Sequence, residues 1–125
     1  MSLIEWPSHF PANCPPVDAI DLEHTIFYLV EHDPPDQKDF LSAKERNTFA
    51  GKPECERASL SCGLTRSYID QLKESVPRLR PMRVAESTLN SEHGKIKPTG
   101  KPGHHSVWLR AAALISATSI FRVVA

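Results

Sequence analysis

No two cysteines in this chain are spaced as CxxC, no apolar stretch is long enough to cross a bilayer, and there is no internal repeat or low-complexity tract. Each absence removes a class of protein. Cys14, Cys55 and Cys62 form an odd set without metal-knuckle spacing, which excludes a zinc knuckle and argues against a closed disulfide framework. The expectation is three reduced thiols in a cytoplasmic protein. The N-terminus, Met1-Ser2-Leu3-Ile4-Glu5-Trp6-Pro7, has no basic segment followed by an apolar one, so no secretory leader is expected. The apolar stretch 107–125 is cut by Arg110 and Arg122, with only eleven residues between them. About 20 are needed to span a membrane, so this stretch is read as core and no membrane partner is expected. Glycine is scarce, at five against eleven prolines. Proline is barred from helix interiors and central ladder positions, so this balance excludes long helices and demands short elements with rigid connections.

What is present suits one compact core. The 125 residues are 40% hydrophobic and 24% charged, within the globular range and too few for two ordinary domains. Pro7, Pro11, Pro15 and Pro16 make residues 1–19 an extended arm, with Trp6 and Phe10 able to pack on a domain formed by residues 20–125. Residues 25–30, Thr-Ile-Phe-Tyr-Leu-Val, read as a buried strand. Asp36 is placed to cap a helix of about three turns over 37–46, whose inner edge would hold Phe40, Leu41 and Lys44. Gly51, Pro53 and the charged residues 54–57 read as a loop, and 58–62 as a short strand ended by Gly63. The clearest helix is 66–75, capped by Thr65 and stopped by Pro77. Ile69, Leu72 and Val76 form its buried stripe, and Arg66 can pair with Asp70 on another face. Strands are expected at 82–89, at 95–97 as an antiparallel return, at 104–109 and at 119–124, with an alanine-rich helix at 110–117. The order predicts an α+β single domain with a largely antiparallel central sheet and two or three short helices.

The net charge of zero conceals a split. Residues 1–56 hold eleven acids and four bases, and residues 57–125 hold four acids and eleven bases. An anion would therefore be met by the basic half. Lys95, Lys97 and Lys101 precede the adjacent His104 and His105, while Arg78, Arg80 and Arg83 cluster after the helix. Together these six cations are the candidate contacts for an anionic ligand or a nucleic-acid backbone. A histidine beside such lysines has an unperturbed pKa near 6.5 and can move protons on a phosphodiester. His104 and His105 are thus the catalytic candidates, with Glu86 as a carboxylate partner. Adjacent residues on a strand face opposite ways, so only one histidine can line a given site. The plainer reading makes it a strand-entrance histidine beside a solvated loop, and Glu86 a partner of Arg83. His93, His104 and His105 lack metal-ligand spacing, and neither a metal nor a cofactor is expected. An acidic protein surface, including that of a second copy in a homodimer, would answer the same charge split.

Several segments resemble a group of small bacterial and mobile-element proteins of unassigned function. They are Asn13-Cys14-Pro15-Pro16 with Ala19, Phe27-Tyr28-Leu29-Val30, Asp39-Phe40-Leu41-Ser42, Cys55 with Ser59-Leu60-Ser61, His104-His105-Ser106-Val107-Trp108, and Phe121-Arg122-Val123-Val124. The resemblance spans nearly the whole chain and implies a single cytoplasmic domain rather than a particular chemistry. A more distant likeness is to ADP-ribosyltransferase-type domains, whose first strand often bears a Tyr-Arg pair. Here that strand has Tyr28-Leu29, without the arginine that would hold the dinucleotide. The expected function is a non-enzymatic binding or accessory protein that takes an anionic partner through its basic half. Its rival is a small toxin-like hydrolase or transferase acting on a phosphate-containing substrate through His104 or His105.

Overall fold

The computed structural model describes residues 5–125, and the first four residues of the arm lie outside the described residues. Among the described residues, seven strands form two antiparallel sheets. These are β1 (Ile20–Asp21), β2 (His24–Val30), β3 (Leu60–Cys62), β4 (Arg83–Leu89), β5 (Gly94–Pro98), β6 (His105–Leu109) and β7 (Arg122–Val124). One sheet has the order β1-β5-β6-β3 and the other β2-β4-β7. They meet where the Phe27 N–H donates to the Gly63 carbonyl at 2.8 Å and the Gly63 N–H donates back at 3.0 Å. This link places β2 beside the end of β3. The α+β class with antiparallel pairing stands as expected.

The helices are short, as the proline content demands: α1 (Ala43–Arg46), α2 (Glu54–Ala58), α3 (Arg66–Ser75), α4 (Ala111–Ile115) and α5 (Ala117–Ile120). With the 3-10 turns Gln37–Phe40 and Pro77–Leu79 they outnumber the two or three expected. The extra pieces arise where expected segments break or change type, including the start of the strand expected over 119–124, whose first two residues belong to α5. The helix expected over 37–46 divides, with Asp36 capping the first turn, Leu41 extended, and Ser42 capping α1 through a box with Glu45. The loop expected over 54–57 is instead α2, which Pro53 opens from the N-cap position. A further difference concerns β5. It pairs with β6 and β1, whereas β4 pairs with β2 and β7. The 82–97 segment therefore forms no hairpin, and its two strands belong to different sheets.

The main core lies on one face of these strands, where Ile26, Tyr28, Val30, Ala85, Ile96, Val107 and Leu109 pack with Phe40, Ala113, Ala117 and Phe121. A smaller cluster joins Trp108 to Cys14, Ala19 and Ala58, with Trp6 and Phe10 against it. The arm does pack on the body as expected, through turns rather than as an extended run. Cys14 and Cys55 form a disulfide, which corrects the expectation of three free thiols. Only Cys62 is free, and it is buried. Forty-one residues separate the two partners in sequence, so spacing could not pair them. Packing around Trp108 does, and the indole N–H donates to the Cys55 carbonyl at 2.9 Å.

A candidate anion-binding groove

Each candidate site residue sits on an element whose position follows from the packing just described. His105 begins β6 opposite Cys62, and His104 closes the preceding loop. The His104 Nδ1–H donates to the Thr99 carbonyl at 2.9 Å and lies 3.0 Å from the Thr99 hydroxyl, which in turn is 2.7 Å from the Ser106 hydroxyl. Burial pushes the His104 imidazole below its ordinary value, with Lys52 and His105 adding to the shift against the Thr99 bond and Glu56. Its bonds tie the loop shut. Gly103 permits this closure, since at φ +89° it is in the left-handed region and a side chain there would strike the Tyr68 ring. His105 Nδ1 turns back to the Gly103 carbonyl at 3.1 Å.

Glu86 is elsewhere. It lies on β4, separated from β6 by β2 and β3, and its carboxylate accepts from Arg122 at 2.9 Å across the β4–β7 pair. The three members of the expected catalytic set are therefore not brought together, and the partner of Glu86 is Arg122 rather than Arg83. The lysine loop is divided too. Lys95 reaches Asp21 at 3.1 Å and Lys97 reaches Asp18 at 2.9 Å. The Lys97 contact, with its hydrogen bond, holds the Asp18 carboxyl below its ordinary value. Part of the charge split is thus neutralised within the fold. Lys101 stays exposed in its loop, and Arg78 is exposed on the Pro77–Leu79 turn.

The remaining cations converge. A groove of about 590 Å³ opens between α3, the turn that follows it, and the β4–β7 pair. Its polar lining is Arg66, Lys73, Arg80, Arg83 and Asp33, with Ala125 against Arg66. Its apolar surface comes from Pro81, Met82, Val123 and Val124. The local sequence explains this placement. Thr65 accepts from the Tyr68 N–H and starts α3, and Ile69 is buried, so residues seven apart, Arg66 and Lys73, share another flank of the helix. The turn after α3 then brings Arg80 and Arg83 to the same opening. Sequence reasoning singled out Arg80 and Arg83 but missed Lys73 and Asp33. The i, i+7 spacing of Arg66 and Lys73 was the available signal.

The four cations are not equivalent. Arg66 donates from Nε to Asp70 at 3.0 Å and from Nη1 to the Ala125 carbonyl at 2.8 Å. Arg80 donates from Nε and Nη2 to the Glu74 carbonyl at 3.3 and 2.9 Å, which fixes its plane without cancelling its charge. Lys73 and Arg83 make no ion pair or hydrogen bond with another described residue through their side chains. Neither histidine lines the groove.

A second polar centre lies at Glu31, His32 and Asp39, whose side chains bring one potential ligand atom each within 4.8 Å of one another. The Asp39 oxygens are already engaged. Oδ1 accepts from the Glu31 N–H at 2.8 Å, and Oδ2 accepts from the Asp36 N–H at 2.9 Å and from His32 at 3.0 Å. This arrangement closes a loop. Among the described residues no buried side-chain nitrogen or oxygen is left without a partner.

No protein-family model, curated protein or solved structure compared with the chain matches it.

Proposed function

We propose that this domain is a non-enzymatic binding module for an anionic partner, held in the groove between α3 and the β4–β7 pair. The observation that carries this reading is the convergence of Arg66, Lys73, Arg80 and Arg83 on one groove, with Lys73 and Arg83 unpaired by any described residue. Cations left without partners in one groove are a favourable environment for an anion, because their charge is not answered within the fold. All four belong to the basic half, but only Arg80 and Arg83 were among the contacts expected from sequence, which pointed first to the segment from Lys95 to His105. Lys95 and Lys97 are committed to Asp21 and Asp18, which makes the lysine loop the weaker candidate. The hydrolase or transferase alternative has no observation in its favour, since Glu86 lies on β4 while His105 lies on β6 of the other sheet and His104 in the loop before it.

Titration calorimetry with inorganic phosphate and with a short oligonucleotide at low salt tests the reading. The expected outcome is binding that weakens with salt, as exposed charges are screened over about 8–10 Å near physiological ionic strength. Binding should be lost in the Lys73→Ala/Arg83→Ala double variant and kept when Lys95, Lys97 and Lys101 are all replaced by alanine. Equal binding by wild type and double variant, or loss in the triple variant alone, would return the site to the lysine loop.

A further inference from the structure

We infer that residues 5–18 are a redox-latched strap: the Cys14–Cys55 bond holds them over one face of the β1-β5-β6-β3 sheet, and its reduction releases them while the body stays folded. The strap is independent of the groove. Pro7, Pro11, Pro15 and Pro16 have no N–H to donate, so this segment offers no continuous ladder to a sheet and has to be held by other means. Among the described residues, one backbone hydrogen bond ties it to the body, from the Ala111 N–H to the Glu5 carbonyl at 2.8 Å. Side chains add the His9–Glu45 contact at 3.5 Å, the Asp18–Lys97 pair at 2.9 Å and the Arg110 guanidinium at 4.4 Å from the Trp6 ring centre. Trp6, Phe10 and Cys14 pack in the Trp108 cluster. Ion pairs near the surface contribute little, which leaves the covalent bond as the dominant tie.

The two cysteines are anchored unequally. Cys55 lies on α2, where its carbonyl accepts from the Trp108 indole and the neighbouring Glu54 pairs with Lys44 at 3.0 Å, so it keeps its place when the bond opens. Cys14 lies in the strap, with no helix or strand around it. Cys55 is also half-buried where Cys14 is buried, which directs an incoming thiolate to the Cys55 sulfur. A dithiol reductant supplies the electrons. Its first thiolate attacks Cys55 Sγ, the S–S bond breaks, and Cys14 leaves as a thiolate that takes up a proton. Its second thiolate then displaces Cys55 from the mixed disulfide, Cys55 takes up a proton, and the reductant departs as its own disulfide. In the β5–β6 pair Lys95 is opposite Trp108 and Lys97 opposite Ser106, so Lys95, Lys97 and Trp108 share the face turned away from Ile96 and Val107. While the bond is closed, Trp108 is buried at 1% exposure and Lys97 is paired with Asp18. Release of the strap exposes the indole and frees the Lys97 ammonium together, which turns a covered face into an aromatic and basic one. Asp21 stays on Lys95, because the β1–β5 pairing does not depend on the bond.

The test uses the full chain carrying Trp6→Phe, which leaves Trp108 as the single indole. Dithiothreitol under native conditions should move the Trp108 emission to longer wavelength and raise its quenching by acrylamide severalfold, with the far-ultraviolet circular dichroism unchanged. Reoxidation should reverse both changes. Cys14→Ser/Cys55→Ser in the same background should show the reduced signature without any reductant. Cys62 is buried and reports on the body. Alkylation of the reduced native chain should therefore modify Cys14 and Cys55 rapidly and leave Cys62 protected. If Trp108 is as shielded after reduction as before, the strap is held by packing alone and the inference is overturned. A bond that dithiothreitol opens only in denaturant overturns it equally. Modification of all three thiols together, with loss of dichroism, makes the bond a staple of the whole fold and rules out separate release of the strap.

Discussion

Asp39 is a carboxylate buried at the base of the loop that follows β2, and three donors converge on it from Glu31, His32 and Asp36. The Tyr28 hydroxyl donates to the backbone carbonyl of the same residue. Burial alone would raise the Asp39 carboxyl, but the two backbone N–H groups and His32 outweigh it and hold the group below the usual carboxylate range. A carboxyl lowered in the folded state stabilises fully above its unfolded value, about 3.9, and the contribution is lost as pH falls through the folded value. Asp39→Ala should therefore destabilise by about 1.5–3 kcal/mol at neutral pH, the worth of hydrogen bonds to a charged group. Urea unfolding at pH 7 and below pH 3 checks this. A cost that does not shrink in acid would mean that Asp39 acts through packing alone. Cys62 illustrates the opposite case, since burial pushes its thiol up to about 12 and leaves it inert in the folded chain.

Among the elements, α3 was read from sequence with its cap, its bounds and the Arg66–Asp70 pair all as found. Its apolar stripe was read too evenly. Ile69 is buried at 2% exposure, whereas Leu72 and Val76 are only half-buried. Ile69→Ala should cost about 2–5 kcal/mol, as other buried aliphatic truncations do, and Leu72→Ala clearly less. Chemical denaturation of the two variants decides the order, and a larger loss at Leu72 would reverse the orientation assigned to the helix. The segment 37–46 broke into two capped turns because Asp39 turns back to the Asp36 N–H. Ser42 also offers a better cap than continued helix would. Both are side-chain-to-backbone bonds that compete with helix, and periodicity does not register them.

At the scale of the molecule, two features bind the arm and the body into one unit. The disulfide joins Cys14 to Cys55, and the arm packs over Trp108 with Asp18 on Lys97 of β5. Thiol titration of the unfolded, unreduced chain should find one group, rising to three after reduction. A Cys14→Ser/Cys55→Ser variant should lose about 2–4 kcal/mol of stability, since the bond closes a loop of some forty residues in the unfolded chain. Three thiols before reduction would restore the original expectation. Oppositely charged halves thus meet within one chain at β5, while Lys73 and Arg83 make no ion pair with another described residue.

Composition and local pattern were sufficient for the α+β class, for short elements, and for β2, β3, β6 and α3. Each of these follows from steric rules, caps and periodicities that act over a few residues. The pairing of Cys14 with Cys55, the assignment of β4 and β5 to different sheets, and the choice of Lys73 and Arg83 over Lys95 and Lys97 as unpaired cations lay beyond such rules. Those features depend on which distant segments pack together. The arm over Trp108 and the β1–β5 pairing bring Asp18 and Asp21 to the lysines of β5, and packing α3 on β2 leaves four cations around one groove.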